Sequence, residues 1–235
     1  MNKTAIPFAA AALVLALCNS ASAALIDRGN GLIYDSDQNL TWLQDANYAM
    51  TSGYDDDGRM SWDAATSWAD NLVFGGYDDW RLASVTDDNN NGCSKDDGSY
   101  DLYNDSDCGF NVDTSDSELA YMWYNILGNT AYFDTSGTGP QSDWGLTSTS
   151  ADGVDILNLD SNQYWSGTWY APSPHSAWYF NFYNGTQNRY NGGNALYAWA
   201  VRSGDVAATS VPEPGSLLLL GAGLLGMASA RRRRC

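Results

Sequence analysis

All ten tryptophans of the chain fall between Trp42 and Trp199, inside a stretch that carries six basic residues against 27 acidic ones. An acidic chain poor in large apolar side chains stays unfolded, because charge repulsion and lost entropy outweigh what little surface it can bury. This one has the rings to build a core. The stretch from Ala24 to Ser210 is 187 residues with a net charge of −21, six minus 27, a length suited to one domain. Phosphate backbones would be repelled, so nucleic acid is excluded as a partner, and a basic face for anionic lipid or sulfated polymers is absent. Cations remain compatible.

Two segments outside that stretch read as addresses. Lys3, the apolar run from Ala5 to Cys18 and the small residues Ala21-Ser22-Ala23 form a secretory leader over residues 1–23. A lipoprotein reading would modify Cys18, but Leu17 before it is bulkier than such sites accept. At the other end stand Val211-Pro212-Glu213-Pro214-Gly215, an apolar stretch over 216–230 and four arginines, Arg231 to Arg234. The arginines hold that end on the cytoplasmic side. An apolar helix needs about 20 residues to cross a bilayer comfortably, and this one has 15, so it predicts a temporary inner-membrane anchor. The three parts in this order resemble the PEP-CTERM sorting signal. The resemblance implies recognition of Pro212, Glu213 and Pro214 by a membrane-embedded exosortase that processes the protein outside the inner membrane. The competing reading is an ordinary tail anchor, which has no need of the Pro-Glu-Pro hinge. The organisation expected is thus a leader over 1–23, a domain over 24–205, a linker over 206–210 and the sorting segment over 211–235.

Within the domain, Gly31 to Asp35 and Asn39 to Leu43 flank Ser36-Asp37-Gln38 as an opening hairpin. Trp62, Ala65, Ala69 and Leu72 recur at helical spacing behind Ser61 as a cap, with Asp63 in the first turn, and the helix is expected to end before Gly75-Gly76. Ser115-Asp116-Ser117-Glu118 reads as a capping box ahead of a second helix, with Leu119, Met122, Trp123, Ile126 and Leu127 on its buried face and Gly128 after it. Gln163 to Tyr170, Ala177 to Tyr183 and Leu196 to Arg202 read as strands, and Asn184-Gly185 as a two-residue type I′ turn. Helices and strands in this order predict an α+β fold.

Four phrases resemble the family named after the C-terminal domain of the bacterial collagen-like adhesin Lcl: Asn39 to Tyr48, Asp79-Trp80-Arg81-Leu82, Tyr164 to Thr168 and Ala198 to Arg202. Ala83 stands where that family usually has proline. The resemblance implies a C-type-lectin-like fold, two helices packed on a twisted antiparallel sheet with long loops on one side. The founding adhesin binds sulfated polysaccharide through positive charge, a property this acidic domain does not share.

Cys93 and Cys108 are the two cysteines left in the domain, and an exported chain predicts a disulfide between them. It would close a loop worth roughly 3 kcal/mol by chain entropy. A metal or redox role is the weaker reading, since no CxxC spacing is present. Asp87, Asn89 and Asn91 followed by Gly92 satisfy the first half of a calcium loop. The twelfth position is Gly98 and not the usual Glu, so Asp96 or a neighbouring aspartate would have to complete the shell; the plain alternative is a solvated acidic loop. Asp55, Asp57 and Gly58 are a shorter echo of the same pattern. Trp165, Trp169, Tyr170 and Trp178 gather near Pro172 and Pro174 as candidates to stack on sugar rings, against the plainer reading of strand aromatics as core. For catalysis the domain offers His175 in a proline-flanked loop, no Gly-x-Ser-x-Gly elbow and many carboxylates. Together these features read as a non-enzymatic, exosortase-processed protein of the cell surface or extracellular matrix that contacts extracellular polysaccharide. The rival readings are an envelope enzyme acting on polysaccharide and a purely structural matrix component.

Overall fold

The computed structural model describes residues 24–85, 87 and 107–206. Asn39, with φ of +54°, turns the chain so that the expected hairpin closes: β2 (Leu32–Asp35) pairs antiparallel with β3 (Leu40–Leu43), Leu32 opposite Leu43. A strand not foreseen from the sequence, β1 (Leu25–Gly29), pairs with β2 on its other edge. All four residues of β3 are buried. A strand with one wet face alternates between buried and exposed, so β3 has cover on both faces.

That cover depends on the segment expected to be a single strand over 196–202. It is two. β11 (Leu196–Tyr197) pairs parallel with β8 (Gln163–Trp169) and antiparallel with β4 (Arg59–Met60). β12 (Ala200–Ser203) instead pairs antiparallel with β3 and with β5 (Arg81–Leu82). The sequence reads as one apolar run because both halves are buried, and a period-2 pattern carries no mark of a strand that changes sheets. The result is a five-stranded sheet in the order β1-β2-β3-β12-β5 and another in the order β10-β9-β8-β11-β4, completed by β9 (Ser176–Asn181) and β10 (Thr186–Asn191). A small ribbon pairs β6 (Ser150–Ala151) with β7 (Val154–Asp155). The α+β class holds, with two sheets in place of the single one expected.

At the crossing, Trp199 is buried and its indole N–H donates to the Leu43 carbonyl at 2.7 Å. Its ring lies 4.5 Å from Trp42 of β3 and 6.4 Å from Tyr164 of β8, so one side chain touches both sheets. Two more indoles tie distant segments: Trp165 donates to the Met60 carbonyl and Trp123 to that of Phe182.

Helices are few and short. After a single turn, α1 (Tyr48–Thr51), comes α2 (Trp62–Asp70), which begins as the sequence predicts, the Ser61 hydroxyl accepting from the Ala64 N–H. It buries Ala65, Trp68 and Ala69 and packs on β5 and β8. The second helix differs from its expected start. Its cap is Ser117, whose hydroxyl accepts from the Ala120 N–H, while Asp113 caps a separate 3-10 turn over Thr114–Asp116. Only α3 (Glu118–Tyr121) is α-helical; Met122–Ile126 widen to a π turn. The expected apolar face is kept, with Leu119, Met122, Trp123 and Leu127 buried.

The β9–β10 connection also departs from the expected type I′ turn. Four residues separate the strands, and of Asn184 and Gly185 only the glycine has a positive φ, +82°. A side chain there would also meet Trp123, whose ring atoms lie 2.7 Å from the place a Cβ would take. Trp199→Phe keeps an aromatic ring at the crossing but leaves the buried Leu43 carbonyl without its donor. The expected loss is about 1–3 kcal/mol, read as a lower urea midpoint at unchanged slope.

Candidate functional site

Three of the four candidate stacking residues have no face to offer. Trp165 and Trp178 are fully buried and Tyr170 is 3% exposed. Trp178 packs with Tyr170 in a small cluster that includes Val85 and Cys108, and its indole N–H donates to the Asp87 carboxylate at 3.1 Å. Covered strands turn such rings inward, so these three are core and not a sugar platform. Trp169 alone of the four keeps part of its ring exposed.

Its position follows from an irregularity in β8. Trp165 pairs with Tyr179 and Trp169 with Ala177, so four steps along β8 match two along β9. The extra residues bulge toward the segment after β5, where the Gly167 N–H donates to the Ala83 carbonyl and the Val85 N–H to the Thr168 hydroxyl. Bulges of this kind re-aim the residues beyond them. Trp169 then lies edge to face against Trp62 at the start of α2, ring centres 4.8 Å apart. Trp62 is fixed in turn: its indole N–H donates to the Ser166 carbonyl, and its backbone N–H to that of Gly192.

Around Trp169 opens a shallow pocket of about 220 Å³ lined by Asp63, Pro174, His175, Asn191 and the Gly192-Gly193 pair. Asp63 lies in the first turn of α2, exposed to solvent and with no hydrogen bond or ion pair among the described residues. The Gly192 N–H donates to the His175 carbonyl at 2.9 Å, which ties the proline-flanked loop to the end of β10. The sole histidine thus stands beside an aromatic ring, a carboxylate and an amide. In the sequence Asp63 signals only a helix start and Asn191 only a turn; nothing there pairs them with Trp169.

A second pocket of about 380 Å³ lies between the β2–β3 turn and α3, with Asp37, Gln38, Ser115, Glu118 and Tyr121 on its walls. Its carboxylates are engaged. Glu118 accepts both bonds of the Arg81 guanidinium, at 2.7 and 2.8 Å, and the Ser84 N–H at 2.7 Å. The hydrogen bonds that the Arg81 guanidinium donates to Glu118 hold it above its ordinary pKa. Asp37 accepts from the Tyr121 hydroxyl, whose pKa is pushed up first by burial and then by that bond. Behind them Asp35 is buried, and desolvation raises its pKa against the opposing hydrogen bonds from Gln38 and Asp37. Glu118 therefore pins α3 to β5, with its oxygens committed to that task.

Of the calcium candidates, Asp87 is described, while Asn89, Asn91 and Asp96 lie outside the described residues. So do the leader, Cys93, the Pro212-Glu213-Pro214 hinge and the apolar stretch over 216–230. Cys108 is buried and disulfide-bonded. Among the described residues no three His, Cys, Asp or Glu side chains gather as a metal site, and no helix is long and apolar enough to cross a membrane. The Asp55 to Gly58 echo is a self-stitched turn: the Asp55 carboxylate accepts from the Asp57 and Gly58 N–H groups. Burial raises its pKa, but those bonds outweigh it and hold the group low.

Residues 210–234 match the PEP-CTERM protein-sorting motif. Neither a curated protein nor a solved structure matches the chain. The motif marks a protein exported to the cell envelope or surface and processed by an exosortase.

Glu118→Gln would weaken the clasp on Arg81 and the bond from Ser84 while keeping the side chain's shape. A loss of about 1–2 kcal/mol in thermal unfolding is expected; an unchanged transition would show that the clasp is not what holds α3.

Proposed function

We propose that the domain is a non-enzymatic binding module for extracellular polysaccharide, carried to the cell surface or matrix by its sorting tail. The observation that supports this most is the setting of Trp169. A pyranose ring has an apolar face of C–H groups and a rim of hydroxyls. A partly exposed indole offers the first a surface, and Asp63, Asn191 and His175 offer the second hydrogen-bonding partners. The pocket is also small and open. Whole small molecules are enclosed by cavities of roughly 300–1,000 Å³; a shallow groove of about 220 Å³ suits one unit of a polymer that continues on either side into solvent.

The reading also draws on the phrases that resemble the Lcl C-terminal domain family. They occupy β3, β5, β8 and the β11–β12 crossing, the strands on which both sheets depend, and we take the domain over 24–205 to belong with that C-type-lectin-like group. The leader over 1–23, the linker over 206–210 and a passing inner-membrane stay through 216–230 complete the proposal.

On a glycan array, Trp169→Ala is expected to lower retention about tenfold, the scale of one lost aromatic contact. Trp144→Ala, on another loop, should leave retention as it was. Binding indifferent to Trp169 would remove the proposal. Replacing Pro212, Glu213 and Pro214 with alanine is expected to leave a full-length precursor in the inner membrane, visible as a larger band on immunoblots of membrane fractions. Normal processing and release of that variant would contradict the sorting route.

A further inference from the structure

Charge narrows the range of polysaccharides that the Trp169 pocket could take. None of the five described arginines lines the Trp169 pocket to meet an anionic polymer, and three of them are held by carboxylates. Arg28, Arg81 and Arg202 are clasped by Asp205, Glu118 and Asp79. Arg59 donates to the Ala195 carbonyl and lies over the Tyr197 ring, and Arg189 lies over Tyr170. In the Trp169 pocket the charge is of the other sign: Asp63, exposed and without a partner among the described residues, lines the same pocket as the indole.

An aromatic face and an uncommitted carboxylate together recognise a cation carried on an apolar frame. The ring's quadrupole attracts an ammonium group, and the carboxylate supplies a full opposing charge and acceptor oxygens. Neutral sugars would stack and hydrogen-bond in such a site but bring no charge to meet the carboxylate, and sulfated or uronic acid chains would be repelled by Asp63 and by the net charge of −21 over residues 24–210, six basic minus 27 acidic. Building on the polysaccharide reading proposed above, we infer that the Trp169 pocket selects a sugar unit bearing a free amine. The polymer it takes is then an amino-sugar polysaccharide with unacetylated units. Asp63 supplies the selectivity and Trp169 the contact common to every sugar.

Calorimetric titration with two N-acetylglucosamine tetramers, one fully acetylated and one with a single free amine, separates the two roles. A single amine avoids the diffuse attraction that any polycation would feel for this protein. At low salt the amine-bearing tetramer is expected to bind about fivefold tighter, the upper range of one exposed ion pair, with the gap closing as salt is raised. Asp63→Asn should bring the ratio of the two affinities to about one. Asp143→Asn, on the loop at the far end of β10 and with a positive φ that asparagine accepts readily, should leave the ratio in place. Equal affinities in the unaltered protein, or a preference that survives Asp63→Asn, would overturn the inference while Trp169-dependent binding of the acetylated tetramer left the broader reading standing. No binding of either tetramer, or binding indifferent to Trp169→Ala, would remove both.

Discussion

The bond from the Trp199 indole to the Leu43 carbonyl fastens the point at which the chain passes from one sheet to the other. On either side of Trp199 the chain belongs to different sheets, β11 to one and β12 to the other. No other described strand run makes that passage within two residues. A turn at such a place would leave backbone groups in need of water; a buried tryptophan fills the corner and satisfies a carbonyl at once. Trp42, Tyr164 and Phe182 close around it, and most of the aromatic mass of the domain follows from having two inner sheet faces to cover.

This use of aromatic side chains also shapes the exterior. With Trp42, Trp123, Trp165, Trp178 and Trp199 all fully buried, the partly exposed indoles are Trp62, Trp144 and Trp169, and Trp169 owes its position to the irregular end of β8. The ends of the domain fit the sorting route. β12 lies inside a sheet between β3 and β5, and Arg28 near the start of the domain clasps Asp205 near its end. Val206 is still buried, whereas the sorting motif begins at residue 210. Processing at the motif would therefore remove no strand and no core residue from the described fold.

How much of this the sequence carries depends on whether the deciding contact is local. The Ser61 cap and the β2–β3 hairpin are legible because their partners lie within a few residues. Glu118 is not: its spacing from Ser115 suggests a capping box, but Arg81, 37 positions away, claims the carboxylate and the cap moves to Ser117. The strand over 196–202 hides its change of sheet because burial looks the same on both sides of Trp199. The stacking candidates share this difficulty, since Trp165 and Trp169 differ only in how the residues between them bulge against Ala83 and Val85. Asp63 and Asn191 meet Trp169 through α2 and β10, an encounter that neither their spacing nor their chemistry announces.

The central claim is that tryptophan builds the core and that, of the three indoles left partly exposed, Trp62, Trp144 and Trp169, Trp169 is the one proposed to meet a ligand. The ten indole N–H resonances, tracked by heteronuclear NMR during titration with a glucosamine-containing oligosaccharide, test this directly. The account predicts that the signal of Trp169 moves, with Trp62 beside it, while those of Trp42, Trp123, Trp165, Trp178 and Trp199 stay where they are. A still Trp169 with movement at Trp144, or a general shift across the buried set, would contradict it.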